Sequence, residues 1–441
     1  MDTNKLLYYD NIALTAKYFD GDSRSTLDTS IQFGPNSFKL PVTPANMKCS
    51  IDFEMAEKLS QEGYFYVLHR FYEYDLIKQW IVDHQYLDVI SISLGVQQAD
   101  YEFIDWLTTM GSPIIDYITI DVAHGHCKAV KSIVSHITQK FGKAEHKPFI
   151  IAGNVMTRQA TEDLYHWGAD AVKVGIGQGK VCSTKLKTGF TCPMFSCVLQ
   201  CATPSGDADQ IYKTAVAEVQ ALRVEFVNLH LPSMFGQLGI LPKHLMFFNN
   251  LFCLYRGVVK DIPVGLLREC MSMQIDRLVN LRIKNHIPVI ADGGISNNGD
   301  IAKAIRAGAD MIMAGGMFAA CVDSPADSVY DDTKFDIELG EYSIQKSNYD
   351  ELSDDVKKLT NEPAIPCQKT VKKRYYGSAS EENKGNSKNV EGFLVELDCN
   401  EKTYLEKLYE IQMDLQSSIS YAGGQNLMDL RSVDYYIMRQ I

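Results

Sequence analysis

The sequence lacks any run of about 18 uninterrupted apolar residues, so no membrane-spanning helix is expected. Its most apolar stretch, LMFFNNLFCLYRGVV, is interrupted by Asn249, Asn250 and Arg256. Positive charge is not in excess. The formal net charge of −12 argues against a general nucleic-acid binder and leaves room only for a local anion site, such as one for a small phosphate. The N-terminal stretch MDTNKLLYYDNIALTAKYFDGD has no basic region followed by an apolar core, so no secretory signal is expected. The final MRQI carries no lipidation or sorting signal. Paired CxxC spacing is also missing. The eleven cysteines are odd in number and scattered, which predicts reduced thiols in a cytoplasmic protein, with neither a disulfide framework nor a zinc site.

What the chain does contain is ordinary globular material. Hydrophobic residues make up 46% and charged residues 22% of 441 residues, enough for one large domain with insertions or for two or three average ones. A unit recurs: a short β-branched apolar run, a polar or glycine turn, then a helical pattern. The runs are FKLPVT (38–43), YFYVLH (64–69), VISISLGV (89–96), YITIDV (117–122), PFIIAG (148–153), AVKVG (171–175), IPVIAD (287–292) and MIMAGG (311–316). Runs apolar on both faces fit buried parallel strands. Several of the helical patterns end at Gly63, Gly142, Gly168 or Gly308, and Thr157 and Asp300 stand where N-caps belong. Eight such runs predict an α/β fold, a (β/α)8 TIM barrel, with a doubly wound open sheet as the rival. Polar and glycine residues after most runs favour the barrel, whose active site gathers the loops at the strand C-termini.

The expected organisation is one barrel domain over 1–441, interrupted twice. Residues 203–267 form an insertion between the sixth and seventh strands. Residues 323–395 hold a second, acidic and irregular insertion and a flap, with 377–392 as a polar loop. The chain closes on an amphipathic helix that ends at Gly423 and Gly424.

Three patterns bear on chemistry. The seventh and eighth strands end in ADGG and AGG. These glycines, Gly293, Gly294, Gly315 and Gly316, either make tight turns or let backbone N–H groups approach a phosphate. Asp292 beside them could accept ribose hydroxyls. In GIGQGKVCSTKLKTG (175–189), Cys182 follows the sixth strand in a glycine-rich loop with Lys180 and Lys185 nearby. A lone cysteine is usually inert, but amides and cations favour a thiolate, and Thr184 could relay its proton. DVAHGH (121–126) has two histidines but no convincing third metal ligand, so they shape the loop, and Asp121 could hydrogen-bond a ligand. Spacing alone makes Glu391 an ordinary surface glutamate.

KVGIGQGKVCSTKLKTG, PVIADGGISNNGDIAKAIRAGADMIMAGGMFA, YYGSASEENKGNSKNVEG and DLQSSISYAGG together resemble the IMP dehydrogenase/GMP reductase family. SRS (23–25), LPVTPANM (40–47), YITIDVAHGH and IAGNVMT agree in the same order. Dehydrogenases of this family carry a regulatory module of about a hundred residues between the second and third barrel units. Here 47 to 121 holds only two strand–helix units, and KNVEG stands where the dehydrogenase has an arginine–tyrosine pair. The resemblance therefore points to the reductase branch.

That branch implies NADPH-dependent reductive deamination of GMP to IMP and ammonia. The resemblance assigns Cys182 as nucleophile and Thr184 and Glu391 as proton donors to the leaving amine. It gives Asp292, Gly293, Gly294, Gly315, Gly316, Ser378, Ala379, Ser380, Lys388, Val390 and Gly392 to the nucleotide. It gives Asp121, Val122, Ala123, Ile176, Gly177 and Arg70 to the cofactor, with Ser23 and Arg24 reaching it from a neighbouring subunit of a homotetramer. The carbonyls of Gly177, Gly179 and Cys182 resemble a potassium site. Two departures stand out: Gln178 replaces a usual proline, and Lys388 replaces an arginine of one branch. A dehydrogenase without its module and a non-catalytic barrel are the competing expectations.

Overall fold

The computed structural model describes residues 6–109, 115–142, 147–202, 286–339, 342–345, 365–384 and 390–438; at 331–345, 365–370 and 384 it describes the backbone alone. The 203–267 insertion lies outside the described residues. The chain divides into two units, Met1–Ala202 with Ile287–Ile441, and Thr203–His286. The first unit is the barrel described below.

Seven parallel strands form one sheet: Val42–Pro44, Ser91–Leu94, Tyr117–Asp121, Phe149–Val155, Ala171–Val174, Val289–Asp292 and Met311–Ala314. The run at 64–69 takes the second position, joined to the third strand by the Leu68–Ile92 bridge. Neighbours follow chain order, and the last strand pairs with the first through Ile312–Val42, Met313–Thr43 and Ala314–Pro44. A doubly wound sheet would instead reverse order at a switch point. First beside last is barrel order, and the barrel expectation is borne out.

Helices follow the strands because apolar stripes and caps agree. Arg158–His166 starts at Thr157, whose side chain accepts from the Ala160 N–H. Asn298–Ala307 starts at Asn297, not at Asp300 as the sequence suggests. Asp300 sits three residues later and completes a capping box by accepting from the Asn297 N–H. Gly63, Gly168 and Gly308 end their helices at φ +74°, +111° and +117°. Gly142 follows Lys128–Phe141 at φ −60°, so that helix ends without a left-handed glycine.

The N-terminal end of the barrel is plugged. A hairpin, Ile31–Phe33 with Asn36–Phe38, inserts Phe33 between Phe65 and Phe149, each 5.3 Å away, and Phe38 lies 5.2 Å from Phe65. The Tyr117 hydroxyl donates to the Phe33 carbonyl at 2.6 Å. Water is excluded from that end, so access lies at the strand C-termini.

The acidic stretch from 323 is not irregular throughout. Ser328–Leu339 pairs antiparallel with Tyr342–Gln345 and with Ile365–Tyr376, which pairs in turn with Leu394–Asp398. Apolar Val329, Phe335, Ile337 and Leu339 fall on alternate positions, a strand signal that the intervening charges mask. Backbone pairing across an antiparallel ladder satisfies such a segment without a large apolar face. The polar loop contains a short helix, Glu381–Lys384.

Candidate active site

Gly175 opens the loop after the sixth strand at φ +128°, and a Cβ there would fall 2.3 Å from the Asp292 carbonyl oxygen. Only glycine lets the loop start so close to the seventh strand. The loop then turns until the Cys182 amide donates to the Gly179 carbonyl at 3.0 Å. Cys182 bridges Gly392 in antiparallel fashion. The Ser183 N–H donates to the Glu391 carbonyl at 2.9 Å, and the Phe393 N–H to the Val181 carbonyl at 3.1 Å. Lys187 Nζ also donates to the Val390 carbonyl. Two segments more than 200 residues apart in sequence are thus stitched edge to edge.

This stitching sets up a directed chain of hydrogen bonds. The Cys182 thiol donates to Thr184 Oγ1 at 3.2 Å, and the Thr184 hydroxyl donates to Glu391 Oε2 at 2.6 Å. A proton leaving the sulfur has a continuous route to a carboxylate, and the carboxylate becomes an acid.

Behind the loop, Lys173 lies in the sixth strand with its side chain 2% exposed. Its Nζ donates to Asp121 Oδ1 at 2.7 Å and to Asn46 Oδ1 at 3.1 Å, and stands 3.3 Å from Asp292 Oδ2. Asn154 Nδ2 donates to Asp292 Oδ2 at 2.8 Å and to the Gly175 carbonyl at 2.9 Å. Arg70 Nε is 3.9 Å from Asp121 Oδ2. Burial would raise the Asp121 carboxyl, but Lys173 and Arg70 outweigh it and hold the group below its ordinary range. Burial would lower the Lys173 ammonium, and the two aspartates hold it above its ordinary range.

A cavity of about 870 Å³ opens over these groups, within the size range of small-molecule sites. Its lining brings together Cys182, Thr184, Glu391, Asp292, Gly293, Gly294, Gly315, Gly316, Ser378 and Ala379. It also takes in Arg70, Asp121, Val122, Ala123, Ile176, Gly177 and Gly179. Ser380 is buried beside this wall, where its N–H donates to the Gly377 carbonyl, and Val390 and Gly392 belong to the stitched segment. Ser23 and Arg24 stand apart from it: Arg24 Nη1 donates to Ser417 on the long Tyr404–Tyr421 helix. Lys388 lies outside the described residues. His126 Nε2 is 2.8 Å from Asp163 Oδ2, which ties the 121–126 loop to the Arg158–His166 helix after the fifth strand.

The family model described as the IMP dehydrogenase / GMP reductase domain matches residues 6–216 and 272–440. The chain belongs to the IMP dehydrogenase/GMP reductase family. Among relatives in this family, a protein of Leptothrix cholodnii named GMP reductase is 37% identical over 430 residues, 98% of this chain and 95% of that one. Proteins of the same name from Mesoplasma florum and Streptococcus suis are each 35% identical, over 98% of this chain and 97% and 94% of theirs. These relatives are of comparable length, so the 217–271 stretch that the family model omits is no addition peculiar to this chain.

Sequence reasoning missed Lys173 and Tyr375. A lysine inside the otherwise apolar AVKVG was the available signal, since a buried charge needs partners. Tyr375 is buried in the cavity wall with its hydroxyl against Gly315, where a Cβ would collide with it. Burial raises its phenol well above the ordinary range. Gln178, the proline replacement, donates through Nε2 to Thr191 Oγ1. That side-chain bond braces the loop where a proline ring would stiffen it. Among the described residues, no group of three or more His, Cys, Asp or Glu is arranged to hold a metal ion, and no helix is long and apolar enough to cross a membrane.

Proposed function

We propose that the protein is a GMP reductase, catalysing GMP + NADPH + 2 H⁺ → IMP + NADP⁺ + NH₄⁺. The observation that carries this reading is the Cys182–Thr184–Glu391 hydrogen-bond chain inside a cavity whose wall also holds Asp292, Gly293, Gly294, Gly315 and Gly316. The name of the relatives supports it.

The buried Arg70 Nε and Asn46 Nδ2 line the cavity without hydrogen-bond partners, so the residues present suit a polar cofactor. Arg70, Asp121, Val122, Ala123, Ile176 and Gly177 would hold it. NADPH, when bound, supplies the hydride that C2 of the purine receives.

The chain's own groups do the rest. Cys182 gives its proton to Thr184, which passes one to Glu391, and the sulfur adds to C2. Glu391, now an acid, returns a proton through Thr184 to the departing amine, because an unprotonated amide ion leaves poorly. Once C2 carries the hydride, the sulfur leaves as thiolate and the nucleotide is IMP. A thiolate attacks well and leaves well, which suits both ends of the sequence. Asp292 accepts from the ribose. The glycines, with Ser378, Ala379 and Ser380, hold the phosphate and base, and Lys388, Val390 and Gly392 close over them. A potassium ion on the Gly177, Gly179 and Cys182 carbonyls would steady the loop, with no step passing through it. Ser23 and Arg24, the latter bonded to Ser417 in this protomer, would reach a neighbour's cofactor in a tetramer working in the cytoplasm.

The test is the loss of nicotinamide absorbance when the protein meets GMP and NADPH. GMP-dependent NADPH oxidation with equimolar IMP and ammonia is expected. NAD⁺ reduction with IMP and no GMP-dependent oxidation would make it a dehydrogenase. Neither activity in a folded protein would leave a non-catalytic barrel.

A further inference from the structure

The proton route explains Cys182, Thr184 and Glu391, but it makes no use of the most buried charge in the cavity wall. Lys173 has a 2% exposed side chain and reaches two carboxylates on different strands: Asp121, which ends the fourth, and Asp292, which ends the seventh. In the reading above, Asp121 faces the cofactor and Asp292 the nucleotide. The ammonium is therefore shared between the two ligand sites. Asn154 extends the network from Asp292 to the Gly175 carbonyl, the first residue of the nucleophile's loop.

We propose that Lys173 is a positioning residue that locks the nucleotide-side and cofactor-side carboxylates into one frame, so that the two sites are coupled through a single cation. The proposal rests on the reductase reading. Its physical basis is that a buried ammonium with two anionic partners and one amide oxygen has few alternative placements. When a ligand draws on one carboxylate, the ammonium shifts its share toward the other. Removing the cation leaves two carboxylates facing each other across the barrel mouth, and both relax away from their ligands.

The groups facing Asp121 are Lys173, Arg70 and Asn46, and those facing Asp292 are Lys173, Asn154 and Tyr375. With Lys173 gone, Asp121 loses its strongest lowering partner and its carboxyl rises from the depressed position it holds now. The acid limb of turnover then moves upward, a change that a merely structural defect would not produce.

The experiment compares the parent protein, Lys173→Met, Lys173→Arg, Asp121→Asn and the double variant Lys173→Met/Asp121→Asn. Binding of IMP and of NADP⁺ is measured separately, and turnover is followed against pH. GMP turnover by the parent is measured first, and its absence refutes the reductase reading instead of the coupling. Lys173→Met is expected to weaken both ligands by about tenfold or more, to lower kcat/KM by about a hundredfold and to move the acid limb of the pH profile upward. Lys173→Arg is expected to restore the acid limb. Asp121→Asn, remote from the nucleotide, is expected to weaken IMP in the parent background but not in the Lys173→Met background. The double variant removes one charge of each sign, so it reports IMP affinity even if Lys173→Met alone does not fold. Parent-like IMP affinity in the double variant, or loss of only one ligand with an unmoved acid limb in Lys173→Met, would overturn the proposal.

Discussion

Cys182 has one hydrogen-bonded side-chain partner, Thr184, and Thr184 has one carboxylate, Glu391. The three act in series, so their roles separate by experiment. Cys182→Ala is expected to bind GMP and show no turnover, with no nucleotide adduct by mass spectrometry. Residual activity near the parent's would remove it as nucleophile. Glu391→Gln keeps the hydrogen bond from Thr184 but cannot hold the transferred proton. A fall in kcat of about 10²–10⁴-fold with little change in the GMP dissociation constant is expected. Charge at this scale also sets the pH response of the fold. The Asp121 carboxyl sits below its ordinary value, so its stabilising share is present above the unfolded carboxyl range near pH 4 and is lost as pH falls through the lower folded value. The Lys173 ammonium sits above its ordinary value, so its share is present below about pH 10 and is lost as pH rises through the folded value. Melting temperature measured against pH should therefore hold across the neutral range and drop at both extremes, with the acid drop shallower in Asp121→Asn.

Helices and loops carry their own tests. The Tyr404–Tyr421 helix begins with a complete capping box: the Thr403 side chain accepts from the Glu406 N–H, and Glu406 Oε2 accepts from the Thr403 N–H at 2.8 Å. Thr403→Ala should cost about 1 kcal/mol in denaturant unfolding without altering kinetics. The opening of the glycine-rich loop is less forgiving. Gly175→Ala places a methyl 2.3 Å from the Asp292 carbonyl at a φ of +128°, and about 1–3 kcal/mol of backbone strain is expected, with loss of activity from the displaced loop. Caps at Thr157 and glycine ends at Gly63, Gly168 and Gly308 were legible because they depend on neighbours a few residues away. The antiparallel sheet of Ser328–Leu339, Ile365–Tyr376 and Leu394–Asp398 was not, because its pairing partners lie far along the chain and its charged residues dilute the alternation.

The barrel is closed at one end and open at the other. Phe33, 1% exposed, anchors the aromatic plug, and Phe33→Ala should destabilise the fold by about 3–5 kcal/mol, read as a lower denaturation midpoint. Turnover per folded molecule should change little, since the plug and the cavity occupy opposite ends of the strands. Strand order also belongs to this scale. Last-to-first pairing through Ile312 and Val42 makes the sheet a barrel, and most strand C-termini then face the same cavity.

The sequence by itself determined the alternating elements, the glycine-rich loop around Cys182 and the glycine pairs after the last two strands, since each is written in contiguous residues whose backbone demands are local. Tertiary structure alone decided that Glu391, an ordinary glutamate by spacing, takes the Thr184 hydroxyl at 2.6 Å, and that Lys173, hidden in an apolar run, holds two aspartates from opposite sides of the barrel. Those contacts join residues that only barrel closure and edge-to-edge pairing bring together. Their energy comes from charges and hydrogen bonds enclosed where water is scarce, a condition that no single stretch of chain can create.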